Sequence, residues 1–214
     1  MTKKSIASII FVLIIAFAFI QFSEEVFEGD TLSVDTYLLM HAQALRQSQP
    51  WLISVMRDLS GLGSTVVLTL FIVVSVTYLS LFSSRITALF VALSAMSGSL
   101  LVSMFKAFFG RLRPATTLAD YAVSGLSFPS GHAAMSAIVF LSVGALVAST
   151  QSQLSQRIYI ITIATLLTFL VGISRIMIGV HWASDVIAGW IFGLAWACGW
   201  FLLMRYFQPQ PITK

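Results

Sequence analysis

The stretch SRIMIGVHWASD, Ser174–Asp185, lies between two apolar runs of the sequence, residues 158–172 and 186–203. An arginine, a histidine and an aspartate are costly so close to hydrocarbon, so a function is the first explanation to consider. If the second run begins its helix near His181, then His181 and Asp185 share one helix face. The carboxylate can hold one imidazole nitrogen while the other points at a substrate. Arg175 adds a planar cation that suits a phosphate, although an interfacial Arg–Asp pair beside an unrelated histidine would explain the same residues.

Two further polar clusters border apolar runs earlier in the chain. Lys106 and Arg113, the latter followed by Pro114, close one run and have six residues between them. The segment FPSGH, residues 128–132, opens another. Together the three clusters read K-x6-RP, PSGH and SR-x5-H-x3-D, in that order. One such motif is a weak signal, whereas three in order with correct internal spacing are a specific one.

This set of motifs resembles the type 2 phosphatidic acid phosphatase superfamily of membrane lipid phosphatases, which are relatives of the vanadium haloperoxidases. Every motif position is filled, and the motifs span Lys106–Asp185. The resemblance implies that His181 is a nucleophile forming a phosphohistidine and that Asp185 orients it. It also implies that His132 is the general acid that protonates the leaving lipid alkoxide, and that it then acts as base for the attacking water.

Phosphoryl transfer also needs charge neutralisation around the phosphate. Three motif residues meet this need, namely Lys106, Arg113 and Arg175. Ser130 can cap the fourth apolar run, which leaves the N–H groups of Gly131 and His132 as an anion site at the positive end of the helix. Contacts with lipid headgroups would explain the basic residues alone, and capping would explain Ser130 alone. Neither explains His132.

The composition indicates an integral membrane protein. Hydrophobic residues make up 58% and charged residues 9% of the chain, against about 45–50% and 25% in ordinary globular proteins. Since a spanning helix needs about 20 apolar residues, we predict an all-α protein with spans at about 5–22, 64–82, 86–105, 132–149, 158–173 and 183–204. No room remains for a soluble domain, so we expect residues 1–214 to form one phosphatase domain in the lipid bilayer.

The few polar side chains exclude several other classes of protein. The net charge of +4 is scattered over helix ends rather than gathered in a stripe, so nucleic-acid binding is not expected. The single cysteine, Cys198, excludes an internal disulfide framework and a cysteine-based zinc site. Neither a cofactor nor an obligate protein partner is expected.

The segment 23–63 is the one long polar insert, and it holds six of the eight acidic residues. Its apolar residues recur at helical spacing over 33–46, which predicts an amphipathic helix. Pro50 suits the start of a second helix at the membrane interface. The insert either covers the surface without chemical function or forms a rim that guides the lipid to the site.

Basic residues predict the orientation of the spans. Lys3 and Lys4 precede the first run, and no small-x-small cleavage site follows, so we expect an uncleaved span with a cytoplasmic N-terminus. Six crossings then place four basic residues in the cytoplasm, namely Arg85, Arg157, Arg205 and Lys214. The insert and all three motifs fall on the extracytoplasmic side of a plasma membrane.

Three alternatives remain open at the level of sequence. His132, His181 and Asp185 would also suit a two-histidine, one-carboxylate metal site, although three nearby cations would repel a divalent metal. A six-helix lipid transporter or channel would leave the histidine–aspartate pair without use, and no inverted repeat is visible. If the chain acts as a member of this family, we expect it to remove the terminal phosphate of phosphatidylglycerol phosphate. Undecaprenyl pyrophosphate and phosphatidic acid are the alternatives.

Overall fold

The computed structural model describes residues 3–115, 119 and 123–207, and within these ranges it contains helices and no strands. Eight helices follow one another there: α1 (Lys3–Glu28), α2 (Leu32–Ser48), α3 (Trp51–Leu62), α4 (Thr65–Phe82), α5 (Arg85–Phe109), α6 (Gly131–Ser149), α7 (Leu154–Met177) and α8 (Ala183–Phe207). Six helical segments in these ranges are long and apolar enough to cross a membrane: Ile6–Glu28, Trp51–Phe82, Arg85–Phe109, Gly131–Ser149, Leu154–Met177 and Ala183–Phe207. The prediction of an all-α membrane protein with six spans is confirmed.

Several helices extend beyond the predicted spans into polar sequence. α1 continues to Glu28, α5 continues to Phe109, and α7 starts at Leu154 and ends at Met177. The end of an apolar run does not end a helix, because serine, glutamine, lysine and arginine are acceptable helix residues. The polar insert therefore starts at residue 29 instead of 23. Lys106 and Arg175 lie in the last turns of α5 and α7.

The insert contains the two helices that its sequence predicts. α2 covers the expected 33–46 with a margin at each end, and its buried side chains include Leu39 and Ala42. α3 follows Pro50 as expected. Only Gly63 and Ser64 separate α3 from α4, and the Ser64 hydroxyl accepts the N–H of Val67 over 3.3 Å to cap the new helix.

α6 lies at the centre of the bundle, between α7 and α8. Small residues permit its close approach to α8, where a Cβ added at Gly193 would lie 2.5 Å from the Cβ of Ala137. A Cβ at Gly189 would lie 2.8 Å from the carbonyl oxygen of Ser130. Helices in lipid associate through such small-residue contacts. This tight seam keeps the N-termini of α6 and α8 side by side.

The outer faces of the bundle are apolar and exposed. Val66 on α4 is 78% exposed and Phe108 on α5 is 81% exposed. In water such a surface would drive association, whereas in a bilayer lipid chains cover it. Of the four basic residues that the six crossings place in the cytoplasm, the structure describes Arg85, Arg157 and Arg205. Lys214 lies outside the described residues.

Candidate active site

His181 and Asp185 contact each other at the start of α8. Nδ1 of His181 lies 3.1 Å from Oδ2 of Asp185, and both side chains are buried. The shared helix face depended on a helix that starts near His181, but α8 begins at Ala183, the start of the predicted span 183–204, and His181 precedes it. The pair forms because Asp185 reaches back out of the first turn. The same Oδ2 accepts the backbone N–H of Trp182 over 3.0 Å, as acidic side chains do in a capping box.

Two partners of opposite character define the protonation of the His181 ring. The Asp185 carboxylate can only accept a hydrogen bond, and the Arg113 guanidinium, with Nη1 3.0 Å from Nε2, can only donate one. The ring proton therefore belongs on Nδ1, and the lone pair of Nε2 faces Arg113. Burial lowers the pKa of His181 to about 4, against the opposing hydrogen bond and charge of Asp185. At pH 7 the ring is neutral and offers a nucleophilic nitrogen beside a cation.

The three basic residues named from the motifs reach the site from three different elements. Lys106 in the last turn of α5 donates to the carbonyl oxygens of Leu126 over 2.8 Å and Ser127 over 3.1 Å. Arg113 also donates to the carbonyl oxygen of Val180 over 2.8 Å. Arg175 is buried, and its Nη1 donates to Ser60 of α3 over 2.6 Å. These contacts hold the cationic groups in place with neutral acceptors.

His132 lies among the same charges at the start of α6. Its ring is close enough to interact electrostatically with four residues, namely Arg175, His181, Arg113 and Lys106. Among the described residues, no hydrogen bond to the His132 ring is found, and the residue lines a cavity. The structure thus brings the two motif histidines to one cluster of cations, each in a different environment.

The sequence predicts that Ser130 caps α6 and that the N–H of Gly131 belongs to an anion site. Ser130 is the N-cap residue of α6, but its hydroxyl makes no capping hydrogen bond, and its N–H is donated to the carbonyl oxygen of Asp185 over 2.9 Å. A Cβ added at Gly131 would lie 3.8 Å from Val102 and 4.0 Å from Cε of Lys106, which is ordinary contact. Helix packing therefore does not require a glycine there. The first-turn N–H groups of Gly131 and His132 have no acceptor within the helix and can bind an anion.

A second layer of polar side chains surrounds Asp185. The Ser127 hydroxyl donates to Oδ2 of Asp185 and lies 3.3 Å from Nδ1 of His181. Nη1 of Arg111 donates to Oδ1 of Asp185 over 2.7 Å and to the Ser184 hydroxyl over 2.7 Å. Nη2 of the same arginine donates to Oδ2 of Asp35 over 2.7 Å. Oδ2 of Asp185 is consequently held by several donors, and Oδ1 is held by Arg111.

The sequence model of the PAP2 superfamily matches residues 87–209. This chain belongs to the PAP2 superfamily. Related members include phosphatidylglycerophosphatase B of Bacillus subtilis (strain 168), which is 33% identical over 153 residues, 68% of this chain and 72% of that protein. Undecaprenyl-diphosphatase of Sulfolobus acidocaldarius is 38% identical over 88 residues, 41% of this chain and 37% of that protein.

Two solved structures are similar to this PAP2 chain. The transmembrane PAP2-type phosphatidylglycerolphosphate phosphatase from Bacillus subtilis has a TM-score of 0.75 and 27% identity, with 100% of both chains covered. Aquifex aeolicus LpxE has a TM-score of 0.60 and 28% identity over 78% of this chain and 93% of that one. Together with the family match, they assign the chain to the membrane lipid phosphatases of the PAP2 superfamily.

A cavity of about 880 Å³ extends from the PAP2 motifs along α4 and α5. Lys106, Gly131 and His132 line its polar end. Most of the remaining wall is aliphatic, and some of its residues, such as Met96 and Leu100, are also exposed on the outer surface of α5. An anionic head and an apolar tail can therefore be accommodated side by side.

The PAP2 motifs did not reveal every residue of the site. Ser60, Arg111 and Ser127 contact motif residues, and Asp35 and Ser184 contact Arg111 in turn. Sequence reasoning assigned none of these five residues to the site. Two signals were present. Arg111 is basic on the side that is expected to be extracytoplasmic, where the positive-inside rule disfavours it, and Asp35 lies on the helix face that also carries Leu39 and Ala42. No local pattern marks Ser60 or Ser127.

Proposed function

We propose that this lipid phosphatase hydrolyses the terminal phosphate of phosphatidylglycerol phosphate through a phosphohistidine on His181. One observation carries the proposal. Nε2 of His181 presents a lone pair 3.0 Å from the Arg113 guanidinium, while Nδ1 is held by Asp185. A neutral imidazole directed at a cation is the arrangement that in-line attack on a bound phosphate requires.

The reaction proceeds in two steps. Lys106, Arg113 and Arg175 bind the phosphate oxygens, and the N–H groups of Gly131 and His132 contribute further donors. In the first step Nε2 of His181 attacks phosphorus, a P–N bond forms, and the P–O bond to the lipid breaks. His132 gives its proton to the leaving oxygen.

In the second step water attacks the phosphohistidine. His132, now neutral, takes a proton from this water as the P–N bond breaks, and inorganic phosphate leaves. Asp185 keeps the proton of His181 on Nδ1 throughout and stabilises the positive charge that develops on the ring. Ser130, whose N–H is donated to the backbone carbonyl oxygen of Asp185, belongs to the wall of the phosphate site in this scheme.

The preference for phosphatidylglycerol phosphate rests on the relatives and on the cavity. The relative named a phosphatidylglycerophosphatase is matched over 72% of its length, and the relative named an undecaprenyl-diphosphatase over 37%. The aliphatic wall beside Lys106 suits an acyl or prenyl tail alike. Undecaprenyl pyrophosphate and phosphatidic acid therefore remain alternative substrates.

We also propose that catalysis needs no metal ion and no protein partner. Within the part of the chain that the structure describes, no three histidine, cysteine, aspartate or glutamate side chains are grouped to hold a metal. Three cations already neutralise the phosphate charge, which is the role a divalent metal has in other phosphoryl-transfer enzymes. Residues 1–214 act as one domain, with both termini in the cytoplasm and the site at the extracytoplasmic face.

Phosphate release by the purified protein tests this proposal. The panel contains phosphatidylglycerol phosphate, phosphatidic acid and undecaprenyl pyrophosphate in mixed micelles, each with and without EDTA. We expect the highest kcat/KM for phosphatidylglycerol phosphate and no effect of EDTA. A higher kcat/KM for another lipid would contradict phosphatidylglycerol phosphate as the substrate. Recovery of chelated enzyme by Zn²⁺ or Mg²⁺ would contradict metal independence.

A further inference from the structure

Asp35 brings a buried carboxylate from the insert into contact with the catalytic motifs. It lies on α2, outside the segment that the family model matches, and its side chain is only 2% exposed. Its Oδ1 accepts the backbone N–H of Ser184 over 2.8 Å. Its Oδ2 accepts the Ser184 hydroxyl, Nη2 of Arg111 over 2.7 Å and the Thr31 hydroxyl over 3.2 Å. A buried charge with so many donors is held in a single orientation.

Arg111 connects this carboxylate to Asp185. Its planar guanidinium directs Nη2 at Asp35 and Nη1 at Oδ1 of Asp185, each over 2.7 Å. Because the guanidinium is rigid, holding one nitrogen defines the position of the other. Asp35 thus determines where Arg111 meets Asp185.

The two oxygens of Asp185 have different partners as a result. Oδ1 is held by Arg111, and Oδ2 accepts from Nδ1 of His181, from Ser127 and from the N–H of Trp182. Rotation of the carboxylate would exchange these oxygens and disturb the hydrogen bond to His181. The chain of contacts Asp35–Arg111–Asp185–His181 opposes that rotation.

We propose that Asp35 is a positioning residue for the nucleophile, acting through Arg111 and Ser184 on Asp185. The proposal rests on the proposed roles of His181 and Asp185. It gives the insert a part in the chemistry, beyond covering the site or guiding the lipid. The contact is non-local, since Asp35 and Ser184 are separated by 149 residues in sequence.

The substitution Asp35→Asn isolates this role. The N–H of Ser184 and the N–H of Arg111 meet different oxygens of Asp35, and both are donors only. An asparagine side chain presents one oxygen and one NH₂ group. Whichever way it turns, one of the two donors faces another donor, and in both orientations the Arg111 guanidinium loses the negative charge with which it pairs.

Kinetics of the full-length protein with p-nitrophenyl phosphate test the proposal. Removing the hydrogen-bond partner behind a metal-binding histidine typically changes activity by about 10–100-fold, and we expect a similar magnitude behind His181. We expect kcat of Asp35→Asn to fall by about that factor with little change in KM, because the phosphate-binding cations are untouched. Asp30→Asn, an exposed acid just before α2, is the matched control and should resemble the wild type.

The double variant separates positioning from a general loss of stability. If Asp35 acts through Asp185, then Asp35→Asn should cause no additional loss of kcat in an Asp185→Asn background. An unchanged kcat of Asp35→Asn, or a full additional loss in the double variant, would overturn the proposal.

If Asp35→Asn does not fold, Arg111→Lys takes its place. Lysine keeps the charge but cannot direct two fixed donors at two carboxylates, so the same fall in kcat and the same non-additivity are expected. An additive loss or an unchanged kcat would overturn the proposal here as well. Full activity of Asp185→Asn would have a different meaning, since it would contradict the proposed roles of the His181 pair themselves.

Discussion

The Arg113 guanidinium donates a hydrogen bond to Nε2 of His181 over 3.0 Å. In the proposed reaction, phosphorus approaches this same nitrogen, so a phosphate oxygen has to replace Nε2 as the acceptor of the Arg113 proton. Binding of the phosphate and release of the nucleophilic lone pair are therefore one event. The predictions below follow from this arrangement and from the contacts around it.

The His181 ring should remain neutral well below its usual pKa. With a pKa of about 4, about ten neutral rings remain for each charged one at pH 5. Histidine NMR signals of the protein in detergent, assigned with a His181→Gln variant, should show an Nδ1-protonated ring that titrates near pH 4. The unfolded chain takes up this proton near pH 6.5, so the contribution of His181 to stability is lost as the pH falls from 6.5 through 4. Titration near 6.5 in the folded protein would contradict the burial of the ring.

Gly131→Ala should weaken phosphate binding without lowering the stability of the protein. The new methyl group makes only ordinary contacts, and alanine is the better helix former, so thermal stability should be unchanged or higher. The methyl group nevertheless lies 4.0 Å from Cε of Lys106, where phosphate oxygens are proposed to bind. We expect KM to rise by about tenfold or more, equivalent to about 1.4 kcal/mol. The control is Gly61→Ala, whose new methyl group would have no atom within 4 Å. Equal KM values for the two variants would contradict this placement of the phosphate.

Ser60→Ala should weaken phosphate binding, although Ser60 lies outside the three family motifs. Ser60 accepts a hydrogen bond from buried Arg175 over 2.6 Å, and a hydrogen bond to a charged group contributes about 1.5–3 kcal/mol. Part of this free energy orients the guanidinium, so KM should rise by about three- to tenfold while kcat changes less. Ser54→Ala on the exposed face of α3 provides the comparison. A fall in kcat with unchanged KM would place Arg175 in the chemical step alone.

Cysteine labelling should reveal the side of the membrane on which the site lies. In a Cys198→Ala background, Ala115→Cys should react with an impermeant thiol reagent in intact cells. Ser152→Cys, in the link between α6 and α7, should react only after the cells are opened. Both positions are exposed in the structure. Reversed labelling would place the active site in the cytoplasm.

The fold was largely predictable because each span leaves a continuous apolar signal. Composition and six apolar runs were enough to predict the bundle, and the two insert helices followed from periodicity and Pro50. Helix ends were harder to predict, since α1 and α7 continue into polar residues that support a helix equally well. The start of α8 agrees with the predicted span 183–204, but the contact in which Asp185 caps Trp182 leaves no mark in hydropathy.

The site was predictable only where its residues fall in the motifs. Spacing indicated that His181 and Asp185 meet, although the geometry of the contact differs. The pairing of Asp35 with Arg111 spans 76 residues and joins an insert helix to a loop. No periodicity links such positions, because their contact exists only after α2 packs against α7 and α8. Ser127 likewise enters the site through the fold of its loop.

The division of roles between the two histidines is the central claim. Its most direct test compares the loss of kcat/KM in each variant on two substrates that differ in their leaving group. We would measure kcat/KM for a lipid phosphate and for p-nitrophenyl phosphate, whose leaving group needs no proton, in the wild type, His132→Ala and His181→Ala. On the lipid, His132→Ala should lose about 10²–10⁴-fold, as expected for an acid–base group. On the nitrophenyl ester this loss should shrink, because departure no longer depends on His132. His181→Ala lacks the attacking atom, so it should be inactive on both substrates. Rescue of His181→Ala by the good leaving group, or an equal loss on both substrates for His132→Ala, would contradict the assigned roles.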